Sequence, residues 1–244
     1  MNIHPQEMQQ VAAQDAPRLD LYAGIHKALR ALMADTLLAL GRMDADDALE
    51  LAQTSQRVLE LLDFCASHLQ HENEFIHAAM EARAPGASEA IAHEHEEHEQ
   101  HIAELGGLVG ALLKVPATQR AGAALELYRQ LALFIADNFQ HMHVEETAHN
   151  AVLWSRYTDA ELAELHAALV ASIPPDEMMY VVRWMVPFMN PAERIAMLAD
   201  MQAHAPAPAF AAALDLVRPH LSDVEWAKLT RGLGLPAVPG LVQA

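Results

Sequence analysis

The stretch NFQHMHVEETAHN, residues 138–150, places His141, His143, His149, Glu145 and Glu146 within thirteen positions. It continues a stripe in steps of three, four or seven residues through Leu127, Leu131, Phe134, Asn138, His141, Glu145 and Val152, the spacing of one face of an α-helix. His141 and Glu145 are four apart, so one helix face offers an imidazole and a carboxylate to the same point. The segment reads as the inward face of a long helix, and the rest of the chain must supply what packs against it.

Three further segments carry the same apolar periodicity, giving expected helices over about 18–40, 46–83, 88–114 and 119–156. The breakers between them, LGRMDAD, ARAPGAS and KVPATQ, are short enough to join antiparallel neighbours. This is the pattern of an up-down-up-down four-helix bundle, and the expected fold class is all-α. After Tyr157 the texture changes to five short helices with explicit start signals. Thr158 with Glu161 and Ser222 with Glu225 have capping-box spacing, and Asn190 precedes Pro191 as a cap before a first-turn proline. The expected organisation is a bundle over 1–157 and a helical C-terminal appendage over 158–244. The methionine-rich MMYVVRWMVPFM, 178–189, reads as the core of that appendage.

Composition agrees. Hydrophobic residues make up 52% of the 244 and there are only ten glycines, with alanine and leucine outnumbering β-branched and aromatic residues, which favours helix over strand. A formal charge of −18 repels phosphate backbones and anionic lipid heads, so no nucleic acid and no membrane surface is expected as a partner. The opening MNIHPQEMQQ has neither a basic start nor an apolar run, and a cytoplasmic protein is expected. The lone Cys65 excludes an internal disulfide and reads as a small buried hydrophobe.

A half-hidden repeat runs through the bundle. His26 and His98 are 72 apart, His68 and His141 are 73 apart, and Glu72 and Glu145 are 73 apart. Each half therefore supplies a helix with one histidine and then a helix with His-x-x-x-Glu, as HLQHE at 68–72 and HMHVE at 141–145. Each candidate falls on an apolar stripe: Tyr22, His26, Leu29, Met33 on the first helix; Val58, Leu61, Cys65, His68, Glu72, Ile76 on the second; Ile91, Glu94 or His95, His98, Ile102, Leu105 on the third. Four histidines and two glutamates point inward. Buried ionised carboxylates cost several kcal/mol unless paired or metal-bound, and two divalent or trivalent cations would balance them. Imidazole with bridging carboxylate suits iron or manganese. A dinuclear centre inside a helical bundle is the physical reading. His71, His77, His93, His101, His143 and His149 lie off the stripes or at their edges and read as solvated or supporting groups, and Tyr22 as a packing tyrosine able to hydrogen-bond near the metals.

These residues resemble the hemerythrin-like proteins over about 18–156, most specifically in HENEFIHAAMEARAPG and HMHVEET. The resemblance implies two irons joined by an oxo or hydroxo bridge, with His26, His68, Glu72, His98, His141 and Glu145 as ligands and the two glutamates bridging. Two departures matter. Oxygen-carrying members have His-x-x-x-His on the third helix, where this chain has Ile102 four after His98; and the acid on the fourth usually lies five after its histidine, which is Glu146 here, although Glu145 fits the stripe. Near His98, Glu94 lies four before, His95 three before and His101 three after. Glu94 is expected to join the site, because it restores four-residue spacing and makes the centre richer in carboxylate.

The expected function is binding or sensing of dioxygen or a small reactive oxygen or nitrogen species at a di-iron centre, with manganese as the other metal. The alternatives are a ferroxidase or peroxide-reducing enzyme, or an iron sensor in which metal occupancy is reported by the appendage. The reading leaves room for a homo-oligomer.

Overall fold

The computed structural model describes residues 18–236, and the opening MNIHPQEMQQ, read as carrying no leader, lies outside them. Among the described residues the chain is all-α, without strands, and no helix is long and apolar enough to cross a membrane. Helix α1 spans Ala23–Arg42. Helix α2 runs Ala48–His71, passes through a π-helical turn at Glu72–His77 and ends as Ala78–Arg83. Helix α3 is Glu89–Leu112. Helix α4 runs Ala117–Val144, makes a second π turn at Glu145–His149 and ends as Asn150–Arg156. Five shorter helices follow: α5 Asp159–Ser172, α6 Pro175–Met185, α7 Pro191–His204, α8 Ala207–Val217 and α9 Asp223–Gly232.

The boundaries follow from local chemistry. The Asp20 carboxylate accepts from the Tyr22 and Ala23 amides, so α1 starts at Ala23, later than the apolar pattern alone suggests. Asp47 accepts from Leu49 and Glu50 and starts α2. Between α2 and α3, Gly86 takes φ +83°, a left-handed conformation that favours glycine. Glu81 reaches over this turn to accept from the Gly86 and Ser88 amides and the Ser88 hydroxyl, and these bonds pull its pKa down to about 2. Both capping pairs expected after Tyr157 form, Thr158 with Glu161 and Ser222 with Glu225, and Asn190 caps its helix before Pro191 as expected, with Glu193 completing a capping box there.

The described residues group into two compact units. One comprises 18–23 and Leu32–Ser172; the other comprises Gly24–Ala31 and 173–236. In the first, α3 packs on α2 and on α4, and the expected stripes are buried: Val58, Leu61, Cys65 and Ile76 on α2, Ile91 and Leu105 on α3, Leu127, Leu131 and Phe134 on α4. Helix α5 belongs to this unit. Its Leu162 is fully buried with Tyr22, Ile76, Met80 and Leu153, and Glu161 and Asp159 pair with Arg83 and Arg18. In the second unit, Val182, Val186, Leu198, Val217 and Leu229 form the core, with Met178, Met179 and Trp226 packed against it. Arg194 is buried there and donates to the carbonyls of Val186, Pro187 and Met189, closing the C-terminal end of α6 with a cation where the helix presents unpaired carbonyls. The Gly24–Ala31 part of α1 is held in this unit by the Lys27–Glu193 ion pair at 2.6 Å.

Candidate metal centre

The site is assembled at the level of the two π turns. A π turn closes i→i+5 hydrogen bonds and so widens the helix by one residue per turn, which changes which side chains face inward. On α2 it starts at Glu72 and on α4 at Glu145, and the next buried positions are Ile76 and His77 on α2 and His149 and Asn150 on α4. His77, five residues after Glu72, and His149, four after Glu145, are buried along with these carboxylates; a regular α-helical stripe through Glu72 would leave His77 at the edge.

Three sets of ligand atoms converge within the first unit. His68, Glu72 and Glu145 bring one ligand atom each to within 4.8 Å of one another; Glu72, His95, His141 and Glu145 do the same; so do His77, Glu145 and His149. His68 Nε2 lies 3.2 Å from Glu72 Oε1. His95 Nε2 lies 3.6 Å from Glu72 Oε2 and 3.7 Å from Glu145 Oε1, and His141 Nε2 lies 3.4 Å from Glu145 Oε1. Glu72 and Glu145 are thus common to the first two sets, the arrangement that lets a carboxylate bridge two cations. His26, fully buried on α1, is carried by the Gly24–Ala31 segment of the second unit.

Glu94 and His98 have other neighbours. Glu94 Oε2 accepts from His141 Nδ1 at 3.0 Å, which places it behind the imidazole and leaves His141 Nε2 aimed at the centre. His98 Nε2 lies 2.9 Å from Asp137 Oδ2, and its ring meets His141 edge to face at 4.7 Å. On α3 the convergent residue is His95, whose Nδ1 lies 2.8 Å from Asn73 Oδ1. His71, His93, His101 and His143 are solvent-accessible, as the stripes imply.

Sequence reasoning left His77 and His149 outside the site, although a signal for them exists: they are 72 apart, the same repeat that relates His26 to His98. His77 stacks on His95 with ring centroids 4.8 Å apart, and the Tyr22 hydroxyl lies 3.2 Å from His149 Nδ1.

The buried carboxylates set the electrostatics of the site. Burial disfavours the His141 imidazolium, yet the Glu145 carboxylate, its hydrogen bond, and Glu94 and Glu72 outweigh that and carry the pKa up to about 10. Protonated His141 can donate to Glu94 from Nδ1 and to His95 Nε2, 3.0 Å away, from Nε2. Burial pushes His77 down to about 4, with His95 and His149 adding to the effect, and burial likewise lowers His98 and His149. The Tyr22 hydroxyl is held above its ordinary range by burial and then by Glu145 and Glu72. Burial raises the Cys65 thiol to about 12, which keeps it a thiol and removes it from metal chemistry.

The donor set fits a transition-metal cation. Imidazole and carboxylate oxygen without thiolate suit iron, manganese or zinc. The Nδ1 atoms of His95 and His141 each face an oxygen acceptor, the support that orients a ligating imidazole and leaves Nε2 to the metal. Neither ring nitrogen of buried His77 has a hydrogen-bond partner among the described residues. The centre can therefore bind a cation.

Comparison with known proteins agrees with this chemistry. No curated protein and no solved structure matches the chain. The model of the hemerythrin HHE cation binding domain matches residues 19–149, more than half of the sequence and the span that holds both π turns and every convergent ligand, so the chain belongs to the hemerythrin HHE cation-binding family.

Proposed function

We propose that this protein holds two iron ions between α2, α3 and α4 and uses them to bind or sense dioxygen or a small reactive oxygen or nitrogen species. The observation that carries the reading is the sharing of Glu72 and Glu145 by two His-containing ligand sets. His68 serves one ion and His95 with His141 the other. Such a pair of irons supplies reversible binding or reduction of dioxygen and related small molecules.

The chain's own residues define the setting. Asn73 and Glu94 fix the ring orientations of His95 and His141. Glu72, His95, His141 and Glu145 are each at most 3% exposed, so water is largely excluded and electrostatic interactions at the ligand atoms are strong. A cleft of the α2–α3 surface is lined by Gln70, Asn73, Glu74, Glu99 and Ile102. Asn73, one of its walls, is also the partner of His95, which supports this cleft as the approach for a diatomic-sized ligand.

The test is elemental analysis combined with an anaerobic-to-aerobic optical titration of protein purified without chelator. Two irons per chain and an absorption band that appears with oxygen and reverses on its removal are expected. Steady consumption of peroxide or ferrous ion would replace the binder with the enzymatic reading, and metal-dependent capture of a protein partner would replace it with the iron sensor.

A further inference from the structure

The third set of ligand atoms, His77, Glu145 and His149, contains two histidines that the two-ion centre does not use. We propose that it is a third cation position, for a divalent first-row transition ion such as Fe2+, adjoining the dinuclear centre and sharing Glu145 with it.

Four observations carry this. The three side chains bring ligand atoms to within 4.8 Å of one another and all are buried. Two imidazoles and one carboxylate form a donor set with open positions, suited to Fe2+ and its neighbours. His77 is only 5% exposed and neither of its ring nitrogens has a hydrogen-bond partner among the described residues. A neutral imidazole has one donor and one acceptor, and leaving both unmet in a buried site is rare; a cation would take the acceptor nitrogen.

The fourth observation is the treatment of His149. Its Nδ1 lies 3.2 Å from the Tyr22 hydroxyl. Donation from Nδ1 to the Tyr22 oxygen leaves the Nε2 lone pair to a metal. This is the same support that His95 receives from Asn73 and His141 from Glu94. Three histidines around Glu145 are thus held in one manner, and two of them belong to the dinuclear centre. Because Glu145 is shared, its charge is already partly neutralised when that centre is filled. The third position fills last and binds more weakly than the other two.

The inference rests on the two-cation reading, and one experiment separates the two. Metal-stripped full-length protein is dialysed anaerobically against increasing Fe2+ and bound iron is counted. Wild type should bind two equivalents tightly and a third at higher free Fe2+. His77→Ala and His149→Ala should each lose the third equivalent and keep the first two, and keeping them also shows that the variant is folded. His93→Ala, which alters a histidine whose side chain is 72% exposed, should keep all three and so guards against adventitious surface binding. Saturation of wild type at two equivalents overturns the third position and leaves the dinuclear reading standing. Retention of the third equivalent in both buried-histidine variants, or loss of a tight equivalent in either, also overturns it. Fewer than two tight equivalents in wild type overturns the dinuclear reading instead.

Discussion

His95 and His141 face each other through their Nε2 atoms, 3.0 Å apart, while their Nδ1 atoms are turned away onto Asn73 and Glu94. The geometry divides the two groups of side chains by role. Removing His95 or His141 deletes a ligand atom; removing Asn73 or Glu94 only loosens a ligand. His95→Ala should therefore lower bound iron by about one equivalent. Glu94→Gln keeps an oxygen acceptor for His141 Nδ1 and should retain both equivalents with an affinity weakened by roughly tenfold or less. Loss of an equivalent in Glu94→Gln, with His95→Ala unaffected, would make Glu94 the ligand.

The raised pKa of His141 leads to a pH dependence of the metal-free protein. The folded value of about 10 lies above the ordinary value near 6.5, so the folded state holds a proton that the unfolded state releases first. This contribution to stability is complete below about pH 6.5 and is lost as pH rises through about 10. It is on the order of a few kcal/mol. Thermal melts of metal-free protein should fall between pH 7 and pH 10, and His141→Gln should flatten the fall. A melting temperature that holds constant over this range in wild type would contradict the assignment.

A cation at Nε2 competes with that same proton. Loading Fe2+ at pH 7.5 should release protons, about one of them from His141. Calorimetry in buffers of different ionisation enthalpy reads this directly, and His141→Gln should release about one fewer. Bound iron should also raise the melting temperature, since it favours the folded state by mass action.

Helix α5 supplies the next test. Leu162 is fully buried with Tyr22, Ile76, Met80 and Leu153, so Leu162→Ala should destabilise the protein by about 2–5 kcal/mol. A chain ending at Tyr157 loses this contact and the Arg83–Glu161 pair and should aggregate more readily than one ending at Ser172, as light scattering during heating would show.

Much of the helical layout was legible because it depends on a repeated signal. Stripes at 3.6 spacing predicted the burial of Val58, Leu61, Leu127 and Leu131, and Asn190 before Pro191 and the pair Ser222–Glu225 announced their helix starts. Less legible were features that depend on register. His95 and His98 both lie on the α3 stripe three residues apart, and which one reaches the level of Glu72 depends on how the α2–α3 turn closes. That closure uses the Glu81 carboxylate on Gly86 and Ser88, a contact across five to seven residues that no periodicity encodes. Glu94 was placed near the site by spacing alone, which cannot tell whether a carboxylate meets the metal-facing or the rear nitrogen of an imidazole. His77 was assigned to the edge of its stripe because an α-helical period was carried through Glu72, where the helix widens.

That widening has a genetic side. A π turn is an α-helix with one residue more than the span requires, so a single inserted codon can make it and a single deleted codon can undo it. The extra residue lies after the His-x-x-x-Glu in each helix and leaves the spacing of that pair unchanged. Deleting Thr147 would leave a continuous α-helix in which His149 stands three residues after Glu145 instead of four, still on the same side of the helix. His141 and Glu145, upstream of the deletion, would keep their places. A shortened chain of this kind would show whether binding at His149 needs the widened turn or only the order of the residues.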